Sequence, residues 1–465
     1  MAEQAPSVAV PPRLPLMVIT SNRDGSTDKD ARLVNCYLEV DDQGELWIYK
    51  RPGLQPNQLI AAAQPGRGAY FWRGSVYTIF GDSFYRNGTL IHSGLNTAGG
   101  VYRFDSNLGA TPQLIFGNGI ATYSYVEGGV VTGPLPANFP TLVVKGFAYL
   151  NGYEYVMTPD AYIHNSGLND TTSWNAIDFI RAQIEPDNGV ALAKQLVYVV
   201  ALKQWSTEFF FDAGNPAASP LGPVQGMKNK YGCASADSVR SIDDALFWLC
   251  TNKSASKQVI KMDQGAAQII STPAIDRLLA NANTDVVYSW HLKITGHSFY
   301  VITLKNANLT LAYDIVMEKW HQWTDADGNY LKIVDATYDS NGLHLFQHES
   351  DGQLYECNVD IFTDDDEPVV VDIITPIFDG GTRRRKHLGR MWAIADQTDS
   401  SQLAVRWSND DYEHWGDWRY MDLSLPEPKL INCGTFKKRA FHLRHDKPTA
   451  FRIQAIELQY DLGTL

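Results

Sequence analysis

Along most of the chain, apolar residues fall in short runs rich in aromatic and β-branched side chains, bounded by Gly, Asn and Asp. Almost no stretch keeps apolar positions at helical spacing, so the pattern predicts strands and turns. The segment 68–90, GAYFWRGSVYTIFGDSFYRNGTL, shows this on a small scale. Two runs flank Arg73-Gly74, and a third leads into Asn87-Gly88, a pair suited to a tight hairpin because both positions tolerate positive φ. The segment reads as a meander. The same grammar returns at Gly146, Gln195, Asp244, Gly296 and Gly342. These starts lie about 50 residues apart, the spacing of propeller blades. The modules share little sequence, so an irregular pair of β-sandwiches fits the same pattern. One helix is predicted over 273–282, with Thr272 as cap, Pro273 at the first helical position, and Ile275, Leu278 and Leu279 as its apolar stripe.

At 363–368 the pattern breaks: TDDDEP places a run of acids and a proline before a new strand-like stretch, VVVDIITPIFD. Beyond it, LAVRWSNDDYEHWGDWRY and FRIQAIELQYDL alternate as a sheet with one buried face should. The expected fold is therefore all-β: a β-propeller-like core with an additional C-terminal β-sandwich. Its parts are an extended N-terminal arm over 1–30, a propeller-like domain over 31–362, and a sandwich or platform domain over 363–465.

Composition bounds this picture. A chain of 465 residues, 44% hydrophobic and 12% aromatic, can fill more than one core. No apolar run reaches about 18 residues, so no membrane-spanning helix is expected. The proline-broken N-terminus with Glu3 lacks the form of a secretory signal. Cys36, Cys233, Cys250, Cys357 and Cys433 are odd in number and scattered, which predicts buried thiols in a reducing cytosol.

The formal net charge of -13 argues against a protein that wraps nucleic acid. It fits ordinary solubility, and equally a conduit through which DNA slides without sticking. No G-x-S-x-G, H-E-x-x-H, P-loop or paired C-x-x-C occurs, so no catalytic residue, cofactor or metal ligand is assigned and an enzyme is not expected. Asp325-Ala326-Asp327-Gly328-Asn329 faintly resembles a calcium loop but lacks its terminal Glu, and reads better as a hairpin turn. SGLNDTTSW from Ser166 reads as a blade-edge turn, and His291, His297, His321 and His344 as structural or surface residues. Two basic clusters stand out: Arg383, Arg384, Arg385 and Lys386, and Lys437, Lys438 and Arg439. They are candidates for contact with DNA or an acidic partner, or for a solvated face.

Several ordered pieces then carry a resemblance. They are TSWNAIDF from Thr172, STEFFFDAGN from Ser206, KNKYGCASADSV from Lys228, ALFWL from Ala245, IISTPAIDRLL from Ile269, and GHSFYVITLKNANLTLAYDIVMEKWHQW from Gly296. Over about 140–325 the chain resembles the packaged-DNA stabilisation proteins of short-tailed bacteriophages, also called tail accessory factors or tail nozzles. Likeness is fainter through the C-terminal part and over the first 140 residues, and Pro273 and Asp276 depart from the family pattern. The resemblance implies a structural virion protein of the phage tail, assembled in the host cytoplasm as a ring of about six copies. Implied partners are the tail adaptor and portal, tailspike, fibre or tail-needle proteins, and double-stranded DNA in the channel, with no membrane. The implied role is to extend the channel, hold packaged DNA and gate its ejection, with no catalytic residue. A receptor- or carbohydrate-binding propeller is the alternative, motivated by 12 tryptophans. A glycoside hydrolase would need two carboxylates at a set separation.

Overall fold

The computed structural model describes residues 11–16, 31–135, 138–254 and 256–463. The expected N-terminal arm lies outside them except at 11–16, which run antiparallel to Arg452–Leu462 through an Arg13–Glu457 bridge. The chain forms two compact units, residues 56–318 with 330–357, and residues 1–55 with 319–329 and 358–465.

Among the described residues the first unit is a β-propeller of seven blades. Five are four-stranded antiparallel meanders, beginning at the inner strands Gly66–Trp72, Arg103–Ser106, Ala148–Leu150, Gly189–Gln195 and Arg240–Ile242. The sixth contributes Val287–Ile294, His297–Leu304 and Leu309–Asp314 to this unit. The seventh holds Ile333–Tyr338, His344–His348 and Gln353–Asn358. Beside the last of these lies Gly53–Leu59, whose residues from 56 onward belong to the unit. The early segment continues along the same edge, Ile60 donating its N–H to Gly352 O at 3.0 Å. A strand from the start of the unit thus completes the blade formed at its end.

Strand alternation explains why the central strands are apolar without interruption. In Tyr198–Lys203, Val199 and Ala201 pack into the core shared with the third blade, while Val200 and Leu202 pack into the core shared with the fifth. Both faces are covered, so the four positions from Val199 to Leu202 are all apolar. Between the first two blades the filling is aromatic: Tyr77, Phe84, Tyr102, Phe116, Tyr123 and Tyr125 form one cluster, with the Phe84 and Phe116 rings 4.7 Å apart. Trp72, Trp174, Trp248 and Trp290 are likewise buried.

The seventh blade meets the first through Gln347, which is fully buried. Its Oε1 accepts from Gly68 N at 2.6 Å and its Nε2 donates to Ile79 O at 2.7 Å. Gly68 has φ +145, and a Cβ there would stand 2.9 Å from Tyr102 O, so the site requires glycine.

The predicted meander at 68–90 forms with its turns at Arg73-Gly74 and Asn87-Gly88 and gains a fourth strand, Thr89–Ser93. The predicted helix forms as Pro273–Ala280, with Thr272 Oγ1 accepting from Ile275 N. SGLNDTTSW is the tip of a hairpin, with Gly167 opposite Asp170. All five cysteines are free thiols, and burial pushes Cys233 and Cys250 up to about 12. No helix of the described residues is long and apolar enough to cross a membrane.

Among the described residues the second unit contains a short hairpin, Thr363–Asp364 with Glu367–Pro368, and two larger sheets. One joins Lys319–Trp323, Arg32–Val34, Val371–Ile374, Ala440–His445, Gln402–Ser408 and Arg419–Asp422. The other joins Cys36–Val40, Leu46–Lys50, Arg452–Leu462, Lys386–Ala395 and Lys429–Ile431. Asn35, buried at φ +56, ties remote segments together: its amide donates to Thr324 Oγ1 and Val370 O and accepts from Thr324 N and Arg51 Nε. The Asp325 carboxylate accepts from Asp327 N and Asn329 N, closing the hairpin turn in that loop.

Replacing Gln347 by Ala orphans two buried backbone groups at the join between the last and first blades. It is expected to lower unfolding free energy by about 2–4 kcal/mol, seen as a lower urea midpoint at unchanged slope.

Candidate functional site

Folding brings the two basic clusters together. Thr435–Phe436 pairs antiparallel with Lys386–Ala395, setting Phe436 opposite Lys386. Two of the seven candidates are turned inward. Lys386 is fully buried, and its Nζ donates to the carbonyls of Thr382 at 2.6 Å, Arg384 at 3.0 Å and Lys437 at 3.0 Å. Arg439 is 2% exposed. Its Nη1 donates to Cys433 O at 2.7 Å and its Nε to Asn409 Oδ1 at 2.9 Å, with the guanidinium 4.5 Å from the Phe436 ring and 4.7 Å from that of Trp407. Both ammonium and guanidinium act as internal fasteners here, holding the two loops in register.

The remaining candidates form the outer surface of the same join. Arg383, Arg385, Lys437 and Lys438 are exposed, and Arg384 is half-buried with its Nε donating to Gly463 O at 2.9 Å. None of the four exposed residues is ion-paired to a carboxylate among the described residues. The patch is a small cationic face on an acidic chain.

A second polar assembly lies on the propeller axis and involves residues that no local motif marks. Lys145 Nζ meets Asp237 Oδ2 at 2.6 Å. Arg103 Nη2 donates to Asp237 O at 2.7 Å, and Arg240 Nη2 to Asp335 Oδ1 at 2.7 Å. Asp335 Oδ2 also accepts from Ala69 N at 3.2 Å, and Ser289 links Arg240 Nε to Asp237 O. These residues come from inner strands or the connections beside them, because the first strand of each blade faces the axis. A cavity of about 550 Å3 opens beside them, lined by Arg103, Lys145, Lys194 and Arg240 with Asp105 and Asp244. A second, of about 350 Å3, is lined by Arg67, Lys145, Asp237, Asp285 and Glu349. Desolvation, then the neighbouring Arg103, pulls Arg240 down to about 10.

Near this assembly Glu154 is fully buried, with no hydrogen-bond partner for either carboxyl oxygen. Burial first, and then Asp105, push its carboxyl well above the usual glutamate range, against a smaller opposing pull from Lys194. Among the described residues no group of three His, Cys, Asp or Glu side chains could hold a metal ion. His297 pairs with Asp314 at 2.7 Å, and His291 with Ser298 at 2.9 Å.

Lys386 and Arg439 thus fasten backbone segments internally, and Arg383, Arg385, Lys437 and Lys438 form a cationic face among the described residues. The chain belongs to the bacteriophage stabilisation family described as Bacteriophage P22 Gp10, beta-propeller, matched over residues 29–356. The match takes in the N-terminal segment where sequence likeness is faint. It makes the chain a phage structural protein and a virion component of the tail accessory, DNA-stabilisation type. No curated protein matches the chain in sequence. Among solved structures it is similar to the computationally designed Ika8 protein, at 10% identity and TM-score 0.38 over 71% of this chain and 96% of that one. A catalytically inactive virginiamycin B lyase from Staphylococcus aureus with quinupristin gives 11% and 0.39 over 71% and 96%. The WD40 propeller domain of Doa1 gives 10% and 0.39 over 66% and 97%. Scores this low say nothing about what the present chain binds.

Replacing Arg383, Arg385, Lys437 and Lys438 together by Glu is expected to leave thermal stability nearly unchanged, since all four are exposed. Arg439→Ala should instead cost about 2–4 kcal/mol, through lost hydrogen bonds and ring contacts. Differential scanning calorimetry separates the two. For Glu154, the folded value lies above the unfolded value of 4.5, so its contribution is fully present below 4.5 and is lost as pH rises from there through the raised value. Glu154→Gln should therefore stabilise the protein at neutral pH and lose that advantage below 4.5, as read by urea midpoints across pH.

Proposed function

We propose that this chain is a tail nozzle component. In this reading it assembles as a closed ring of about six copies below the portal and adaptor, extends their channel, keeps packaged DNA inside, and opens when the tail engages a host. The observation that carries this is membership of the phage stabilisation family over residues 29–356.

Elementary physics supports it. A wall that resists pressurised DNA must be stiff, and radially repeated sheets with interlocked aromatic cores deform little. The propeller also closes its own last blade, so no long strand edge is left there to pair with another chain. A net charge of -13 keeps a passing polyanion from adhering, while the patch of Arg383, Arg385, Lys437 and Lys438 gives one local foothold. Four cations are too few to wrap duplex DNA but suffice to dock an acidic neighbour, or touch the DNA backbone in transit. Arg384 flanks the foothold, and Lys386 and Arg439 hold it in shape.

The role is mechanical rather than catalytic, with opening carried by ring interfaces that have two arrangements. The other proposed contacts are tailspike, fibre or tail-needle proteins, and assembly takes place in the host cytoplasm. Filled phage heads lacking this protein are expected to lose DNA to nuclease and to retain it when the purified chain is added back. Equal retention without the chain would remove the stabilising role. The Arg383, Arg385, Lys437 and Lys438 to Glu variant should join the particle less well, with less of the chain co-sedimenting with heads as salt rises.

A further inference from the structure

At the join between the fourth and fifth blades, two cysteines stand opposite one another. The connection that leaves the fourth blade runs beside the strand Ala245–Thr251, with Gly232 N donating to Thr251 O at 2.9 Å and Ala234 N to Leu249 O at 2.8 Å. These two bonds follow an antiparallel register. Cys233 lies midway between them and faces Cys250, at the kind of position where opposed residues exchange no backbone bond. Its own N–H turns the other way, to Lys203 O at 2.8 Å in the fourth blade. Side chains at such a position share one face of the ladder, and both cysteines lie in the core formed with Leu246, Trp248 and Ile260.

The spacing suits a disulfide. Opposed residues of this type have Cα atoms about 4.5 Å apart, inside the roughly 4.4–6.8 Å that a disulfide spans. The backbone that sets the spacing is gripped from both sides: a Cβ on Gly232 would stand 2.1 Å from Gln204 O, and Gly232 O accepts from Trp248 Nε1 at 2.8 Å. In the reduced protein each thiol donates to a carbonyl, Cys233 Sγ to Ser235 O at 3.2 Å and Cys250 Sγ to Thr251 O at 3.4 Å. Turning both side chains about χ1 brings the sulfurs towards each other without a change of register. Burial keeps both thiols protonated, so reaction waits on brief opening of the connection, whose residues 231–235 form no strand.

We propose that Cys233 and Cys250 are a redox-modification site, converted by a peroxide into a disulfide that staples the connection to the fifth blade. The Cys233 sulfur attacks one peroxide oxygen and the O–O bond breaks, leaving a sulfenic acid and one water. The Cys250 sulfur then attacks the Cys233 sulfur and gives up its proton, the S–O bond breaks, and a second water leaves. Two thiols have passed two electrons and two protons to one peroxide. A reducing cell holds the pair as thiols, and the bond closes when the chain meets an oxidant. The site rests on the propeller alone and does not depend on the nozzle reading.

The test treats the folded full chain with hydrogen peroxide, alkylates the remaining thiols in denaturant, and digests without reductant for mass spectrometry. The expected result is a pair of peptides joined through Cys233 and Cys250, with a chain mass lower by about 2 Da. The urea midpoint should rise on oxidation and return with dithiothreitol, because the closed loop restricts the unfolded chain. Cys250→Ala should abolish the cross-link, and Cys357→Ala, at a half-buried thiol, should leave it in place. Urea below the unfolding transition should speed its formation severalfold by favouring local opening. Recovery of Cys233 and Cys250 in separate peptides from the oxidised folded chain, a cross-link formed only above the unfolding transition, or a midpoint unmoved by the cross-link would overturn the proposal.

Discussion

Everything in the propeller depends on closing a ring of sheets. Each blade buries both faces against its neighbours, so the first and last blades would expose apolar faces unless they met. They meet at Gln347, which hydrogen-bonds Gly68 and Ile79, and at a small core of Val76, Phe80, Leu345 and Leu354. The early strand that ends at Leu59 completes the last blade, so closure needs segments nearly 300 residues apart in sequence to find each other. With the ring closed, the inner strands converge, and side chains at their edges are forced into one another's company. The axial ion cluster follows from that geometry.

Much of the blade pattern was legible locally. Hairpin chemistry at Arg73-Gly74 and Asn87-Gly88 and the Thr272-Pro273 helix start are short-range signals, and they held because nothing distant overrides a turn that needs positive φ. The second blade was missed. Its strands, among them Arg103–Ser106 and Val131–Thr132, are too short to show a period, and Gly-rich connections separate them. The closing strand was invisible for a different reason: its partner is at the far end of the unit.

Charge was the least legible property. Arg383 to Lys386 and Lys437 to Arg439 look alike in sequence, yet Lys386 and Arg439 are turned inward while their neighbours stay in water. Which member of a basic run is buried depends on strand parity, and on the backbone carbonyls that happen to converge on it. The axial residues carry no local mark, since Arg103, Lys145, Asp237, Arg240 and Asp335 are scattered through five parts of the chain. The tryptophans that suggested sugar binding include Trp72, Trp174, Trp248, Trp290, Trp320 and Trp323, all of which fill cores.

The proposed role, a part that lines a DNA path and docks to neighbours by a small patch, draws on a propeller closed within the chain, a net charge of -13 and the cationic face at 383–385 and 437–438. Family membership places the chain among phage stabilisation proteins. Three-dimensional reconstruction of the assembled virion tail tests this most directly. The account expects copies of this seven-bladed unit in a closed ring around the axial DNA, with 383–385 and 437–438 against a neighbour or the DNA. Propellers found away from the axis, at the tips of receptor-binding appendages, would contradict it.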